Sequence, residues 1–235
     1  MKILCKVFMF LCVLFIFSII GLYSKDQREF EKVQESAVEQ KKEEKDDVLS
    51  INWDKLPADC VAWIRFRHPK AINYPVMKSD DNDYYLHRNT EGKYSFSGSV
   101  FEDCHNSPDF TDDNTILYGH NMANGTMFGK LAKFRDQAYW KKHHGVEIYT
   151  RSGYRYEYEI FNVVLVRPFS DIYTYQFGSD EMMDEYLDKW TGRSLYKTGI
   201  SVDHLDKIVT LSTCQAQGTR RLIVQGRMCS SQKIQ

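Results

Sequence analysis

Strand-length apolar runs follow one another along this chain without alternating helices, and that pattern limits its fold more than any other feature. Residues 72–76, 98–102 and 114–120 read as short strands. Residues 146–150 and 154–160 alternate with period two around Ser152-Gly153, a hairpin signature, and 161–166 continue the pattern. Two last runs, 208–214 and 221–227, are separated by a short connection. Pro75 cannot donate to a sheet ladder, which places its strand at an edge or an end. Helical spacing is confined to a few places. Trp53, Leu56, Cys60 and Trp63 share one face of a helix predicted over 52–64. Short helices are predicted over 80–86 and 127–134, and a longer one over 180–191, with Met182, Met183, Tyr186, Leu187 and Trp190 as its core stripe. No βαβ alternation and no internal repeat is present. The expected fold is mainly β: a closed or nearly closed mixed barrel with peripheral helices.

The N-terminus sets the expected compartment. Lys2 and Lys6 flank the start of an apolar run reaching Tyr23. At about twenty residues it is long enough to cross a bilayer as a helix. Residues 18–23 offer no small-x-small cleavage site, so residues 1–23 are expected to stay as a transmembrane anchor. The leading lysines favour a cytoplasmic N-terminus, with the remainder of the chain outside. Residues 24–50 are dominated by Lys, Glu, Gln and Asp and read as a solvated stalk, leaving 51–235 as the globular domain.

With 31 Lys+Arg against 32 Asp+Glu, the near-neutral balance points to no nucleic-acid partner. Of the six cysteines, Cys5 and Cys12 fall in the apolar run, and none forms a C-x-x-C pair. Cys60 and Cys104 are expected as free thiols. His143-His144 and Asp112-Asp113 lack ligand spacing, and no metal is expected from them.

Cys214 ends an apolar run, His120 ends another far upstream, and Arg221 opens the last. A thiol becomes a useful nucleophile as thiolate, which a nearby cation favours. It also needs a proton partner and a group to hold an oxyanion. The residue types alone leave a structural reading open, because glycine-flanked histidines are common in turns and strand-end cysteines in cores.

Thr210-Leu211-Ser212-Thr213-Cys214 resembles the T-L-x-T-C motif of sortases, and Arg221 matches that family's third catalytic residue. Residues 114–122 and 127–131 resemble the histidine region of class B sortases. Residues 73–76, 81–86 and 98–101 fit the same class, and the likeness covers about residues 50–228. It implies an eight-stranded sortase barrel with an N-terminal helix and a helical insertion, roughly residues 171–198, between strands 6 and 7. It also implies a membrane-anchored cysteine transpeptidase of Gram-positive bacteria, without cofactor, its catalytic domain facing the cell wall. Cys214 would attack the threonine carbonyl of a C-terminal sorting signal on a surface protein. His120 would move the protons, and Arg221 would bind the oxyanion. A peptidoglycan-precursor amine would take the acyl group. Arg221 is preferred to its neighbour Arg220 because it directly precedes the apolar run. Asn82, Leu86 and Ser212 match positions lining the class B peptide groove, although Leu86 also suits a core and Asn82 a turn cap. Three alternatives stay open: a membrane-anchored endopeptidase acting mainly by hydrolysis, a pilin-polymerising sortase, and a binding module with a vestigial triad. The sequence leaves the signal, the acceptor and the oligomeric state unassigned.

Overall fold

A computed structural model describes residues 2–40, 48–214 and 219–234, with the side chains at 2–7, 10, 23, 39, 40 and 214 outside that description. A long helix, α1 (Lys2–Ala37), leads into strand β1 (Val38–Gln40), which pairs with β2 (Leu49–Ile51). Eight strands then form a closed barrel: β3 (Cys60–Arg65), β4 (Asn73–Met77), β5 (Val100–Glu102), β6 (Asn114–Gly119), β7 (Gly145–Thr150), β8 (Tyr154–Val166), β9 (Ile208–Cys214) and β10 (Arg221–Lys233). Around the barrel the order is β3-β4-β5-β6-β9-β10-β8-β7, parallel at β4-β5 and β6-β9 and antiparallel elsewhere. The mainly β barrel is as expected, and the insertion does lie between the sixth and seventh barrel strands, β8 and β9.

The apolar runs of β9 and β10 are continuous because both faces are buried. Val209, Leu211, Leu222 and Val224 join the main core. Ile208 and Ile223 pack on the insertion with Met183, Tyr186, Leu187 and Trp190 of α3 (Asp180–Thr191). Met182, expected in that stripe, is exposed. Ser179 caps α3 by accepting from the Met182 N–H, and Asp180 and Glu181 stand in its first turn, where the helix dipole favours them. A buried polar chain fastens the insertion down. Gln225 donates to the Tyr186 and Thr210 hydroxyls, both at 2.9 Å, Thr210 donates to Asn114 at 2.7 Å, and Asn114 donates to the Thr174 carbonyl at 2.8 Å.

The structure departs from expectation in several places. The helix over 52–64 is instead a 3-10 turn, Trp53–Lys55, followed by β3. Pro57 interrupts the helix, and Ala62, Trp63 and Ile64 are buried on both strand faces. A short helix, α2 (Gln137–Lys142), capped by Asp136, forms where none was predicted. The stalk over 24–50 does not stand clear of the domain, because the second half of α1 lies on the barrel. Phe30 meets Tyr74 edge-on with centroids 5.6 Å apart, and Ala37 is fully buried with Leu49 and Ile51. A few apolar residues at helical spacing bury a face that the charge-rich composition hid. The transmembrane span expected over 1–23 is not found either. No helix of the described residues is long and apolar enough to cross a membrane, and α1 runs from that segment into its charged turns without a break. Among the described residues Cys60, Cys104 and Cys229 are free thiols.

One buried carboxyl has a measurable consequence. Glu102 on β5 is fully buried, with the Lys78 ammonium 3.6 Å from Oε2. Burial pushes its carboxyl up to about 8, and Lys78 only partly opposes this. Between the ordinary carboxyl value of 4.5 and about 8, the folded chain keeps a proton that the unfolded chain has released. Stability therefore falls as pH rises through that window and levels off above it. Glu102→Gln removes the slope. In urea titrations the variant is expected to gain on the parent by up to about 4 kcal/mol between pH 5 and pH 9; a constant difference would refute the buried-acid assignment.

Candidate functional site

Three neighbouring strands bring the candidate residues to one end of the barrel. Gly119 of β6 pairs with Thr213 of β9 in a parallel ladder, so His120 and Cys214 follow at the same level. On the other side of β9, Arg221 is the register partner of Cys214. The Cys214 side chain and residues 215–218 of the connection lie outside the described residues. Arg221 is half-buried and Arg220 exposed.

His120 is held by a backbone group. Its Nε2 lies 2.8 Å from the Leu86 carbonyl oxygen. A carbonyl only accepts, so Nε2 carries the proton and donates it, leaving Nδ1 free to exchange a proton. The His87 ring stacks on it with centroids 5.6 Å apart. Burial lowers the His120 pKa and His87 adds to this, while the Leu86 carbonyl opposes both. The imidazole is thus biased to its neutral form.

Leu86 belongs to a 3-10 turn, Tyr84–His87. Asp81 starts that turn by accepting from the Asp83 and Tyr84 N–H groups at 2.8 and 2.7 Å. Gly98, at φ +58, closes over it; a Cβ there would stand 2.3 Å from the Leu86 oxygen. Leu86 therefore acts through its backbone, and its half-buried side chain packs against the β3–β5 side of the core.

Asn82 does more than end a turn. Its Nδ2 donates to Asp103 Oδ2 at 3.0 Å, and its Oδ1 accepts from the Cys104 N–H at 2.9 Å. The same Asp103 oxygen accepts from the Tyr118 hydroxyl at 2.8 Å. Burial by itself would raise Asp103, but hydrogen bonds from His105, Tyr118 and Asn82 outweigh it and hold the carboxyl below its ordinary value. Ser212 is buried, its hydroxyl 2.9 Å from that of Tyr173, and the Arg221 guanidinium lies 5.9 Å from the centre of the Tyr173 ring.

Asn82, Leu86, His120, Ser212 and Arg221 line one cleft of about 620 Å³. His87, Tyr118, Phe169 and Tyr173, which sequence reasoning missed, line it too. Phe169 is fully exposed at φ +61, a rare conformation for a residue with a side chain. Only its place in Pro168-Phe169-Ser170, at the start of the insertion, hinted at a turn. Elsewhere, the donor atoms of Asp103, Cys104 and His105 lie within 4.8 Å of one another, but Asp103 Oδ1 is already 2.8 Å from His105 Nδ1. His143 packs on His68 while His144 faces Glu159 at 3.4 Å.

A cysteine at a strand end, with an imidazole-bearing and a guanidinium-bearing residue at the neighbouring register positions and a cleft beside them, suits nucleophilic attack on a peptide carbonyl. Comparison with known proteins gives the family. Residues 69–229 match the family model for the Sortase domain. Sortase B of Listeria monocytogenes is 37% identical over 179 residues, which is 74% of this chain and 71% of the relative. The crystal structure of sortase B from B. anthracis in complex with AAEK1 superposes with a TM-score of 0.76 at 31% identity, covering 89% of this chain and 98% of that one. A Staphylococcus aureus sortase B-substrate complex superposes at 0.71 with 29% identity, over 75% of this chain and 82% of that one. Its match to the family model and its likeness to these relatives place this chain in the sortase family, among the class B cysteine transpeptidases.

Proposed function

We propose that the chain cuts a C-terminal sorting signal after its threonine and passes the surface protein to a peptidoglycan-precursor amine. One observation supports the reading: His120, Cys214 and Arg221 fall at adjacent register positions at one end of three neighbouring strands, and His120 and Arg221 line the cleft there. The Cys214 thiolate adds to the threonine carbonyl, and Arg221 takes the developing oxyanion. Collapse breaks the peptide bond and leaves a thioacyl-enzyme, while protonated His120 gives the departing amine its proton. The incoming amine then attacks the thioester, gives a proton to His120 and releases the thiolate. With Nε2 committed to Leu86, Nδ1 is the nitrogen that exchanges these protons. Asn82, Leu86 and Ser212 frame the peptide cleft.

We further propose that the N-terminal part of α1 associates with the membrane and holds the barrel at the face turned to the wall. Phe8, Leu11, Phe15, Phe17 and Ile20 are all exposed and support this reading. Flotation of the full chain with lipid vesicles tests it, and failure to float would sink it.

The main test incubates the full-length protein with fluorogenic peptides bearing N-P-x-T-x and (S/P)-P-x-T-G signals, with and without an amine acceptor, beside Cys214→Ala. Cleavage after threonine that needs Cys214, with an amine-ligated product by mass spectrometry, is expected. Hydrolysis unaffected by amine would favour the endopeptidase reading. No Cys214-dependent cleavage would favour the binding module.

A pH profile adds a second test. Neutral His120 with the thiol, or imidazolium with the thiolate, share one net protonation state, so kcat/KM should be bell-shaped. Since burial lowers the His120 pKa, the acid limb is expected below the ordinary histidine value of 6.5. An acid limb above it would contradict the buried imidazole.

A further inference from the structure

We infer that Asp26 on α1 is a positioning residue for the His120 imidazole, acting through the serine loop that supports the Leu86 carbonyl. The inference rests on the reading of His120 as the catalytic imidazole.

Asp26 is buried, an unusual place for a carboxylate in a segment so rich in charge. Its Oδ2 accepts three hydrogen bonds, from the Ser95 hydroxyl at 2.9 Å, the Ser97 N–H at 3.1 Å and the Ser97 hydroxyl at 2.9 Å. That loop is tied in turn to the 84–88 segment. The Ser95 N–H donates to the His87 carbonyl and the Ser99 N–H to the Tyr85 carbonyl, both at 3.0 Å. Between them, Gly98 packs directly on the Leu86 oxygen, the atom that receives the His120 Nε2–H. An unbroken chain of hydrogen bonds and backbone contacts thus runs from α1 to the imidazole.

The same helix face reaches the other side of His120. Phe30, one turn on from Asp26, packs edge-on against Tyr74. The Tyr74 hydroxyl accepts from the Met127 N–H at 3.0 Å, and the next residue, Phe128, donates its N–H to the His120 carbonyl at 3.0 Å. One contact steadies the ring and the other its backbone. A helix serving only as a tether needs neither.

The test compares Asp26→Ala, Asp26→Asn and, as a control on the exposed face, Arg28→Ala, each in the full-length protein. Steady-state cleavage of a signal peptide and nitrogen-15 NMR of the histidine rings, with His120 assigned through His120→Gln, are the two readouts. Asp26→Ala is expected to lower kcat about tenfold with KM changed less than about twofold, since small misplacement of a reacting group is costly. Its His120 signals should move from a fixed Nε2–H form to averaged tautomers. Asp26→Asn keeps an acceptor oxygen and should recover most of both. Arg28→Ala should match the parent. If Asp26→Ala loses only melting temperature while kcat and the His120 spectrum stay unchanged, α1 merely docks and the inference is overturned. If the parent cleaves no peptide yet its His120 spectrum still depends on Asp26, the cleavage reading fails and the positioning role stands.

Discussion

Arg221→Ala is expected to lower kcat/KM for a sorting-signal peptide by about 10²–10³, the usual effect of removing one oxyanion donor. Arg221 opens β10 opposite Cys214 and is half-buried beside the Tyr173 ring, so its guanidinium is confined before substrate arrives. Arg221→Lys should recover little. An ammonium is a flexible point charge, without the planar fork that can bond an oxyanion while lying against an aromatic ring. The loss should appear mainly in kcat, because the oxyanion exists only past the ground state. Melting temperature should change little, since the residue stands at the first position of its strand. A loss confined to KM would make Arg221 a substrate-binding group only.

Gly98→Ala is expected to damage stability and turnover together. The left-handed conformation costs a residue with a side chain about 1–2 kcal/mol. The added Cβ would also meet the Leu86 oxygen at 2.3 Å and the Tyr85 oxygen at 2.8 Å. Both are backbone atoms, so no side chain can swing away and the 84–87 turn must move. We expect about 2–4 kcal/mol less stability by urea titration, with strain adding to the conformational cost. Turnover by the folded fraction should fall about 10²-fold, since a displacement near 1 Å misaligns a proton-transfer group. Normal kcat in the folded variant would show that the Leu86 carbonyl does not orient His120.

Much of the barrel was legible because strand alternation is local. The hairpin over 146–160 and the final pair of strands follow from period two and from turn residues. Trp53, Leu56, Cys60 and Trp63 misled because their spacing also fits a helix, and only burial on both faces of β3 decides the matter. The second half of α1 was hidden by its charge, since a composition average cannot register that Phe30 and Ala37 share a buried face. Within the site, Cys214, His120 and Arg221 could be picked out by residue type and by a motif resemblance. Leu86 draws notice in the sequence for its side chain, but what the structure brings to His120 is its carbonyl, which no residue type advertises. Asp26, Asp103 and Tyr173 reach their partners through contacts distant in sequence, and a one-dimensional pattern does not record those.

The placing of β9 between β6 and β10 also bears on how the chain matures. The thiol strand has no ladder partner close before it in sequence; its parallel neighbour lies a whole helical insertion and two strands upstream. Such long-range pairing is paid for in loop-closure entropy before it returns any contact energy, which makes it a late and slow event in folding. During synthesis, β9 can complete its ladder only once β10 has emerged. On the proposed reading, Cys214 therefore gains its Arg221 neighbour last, after the rest of the barrel wall has been laid down, and a nascent or truncated chain carries the thiol without that cation.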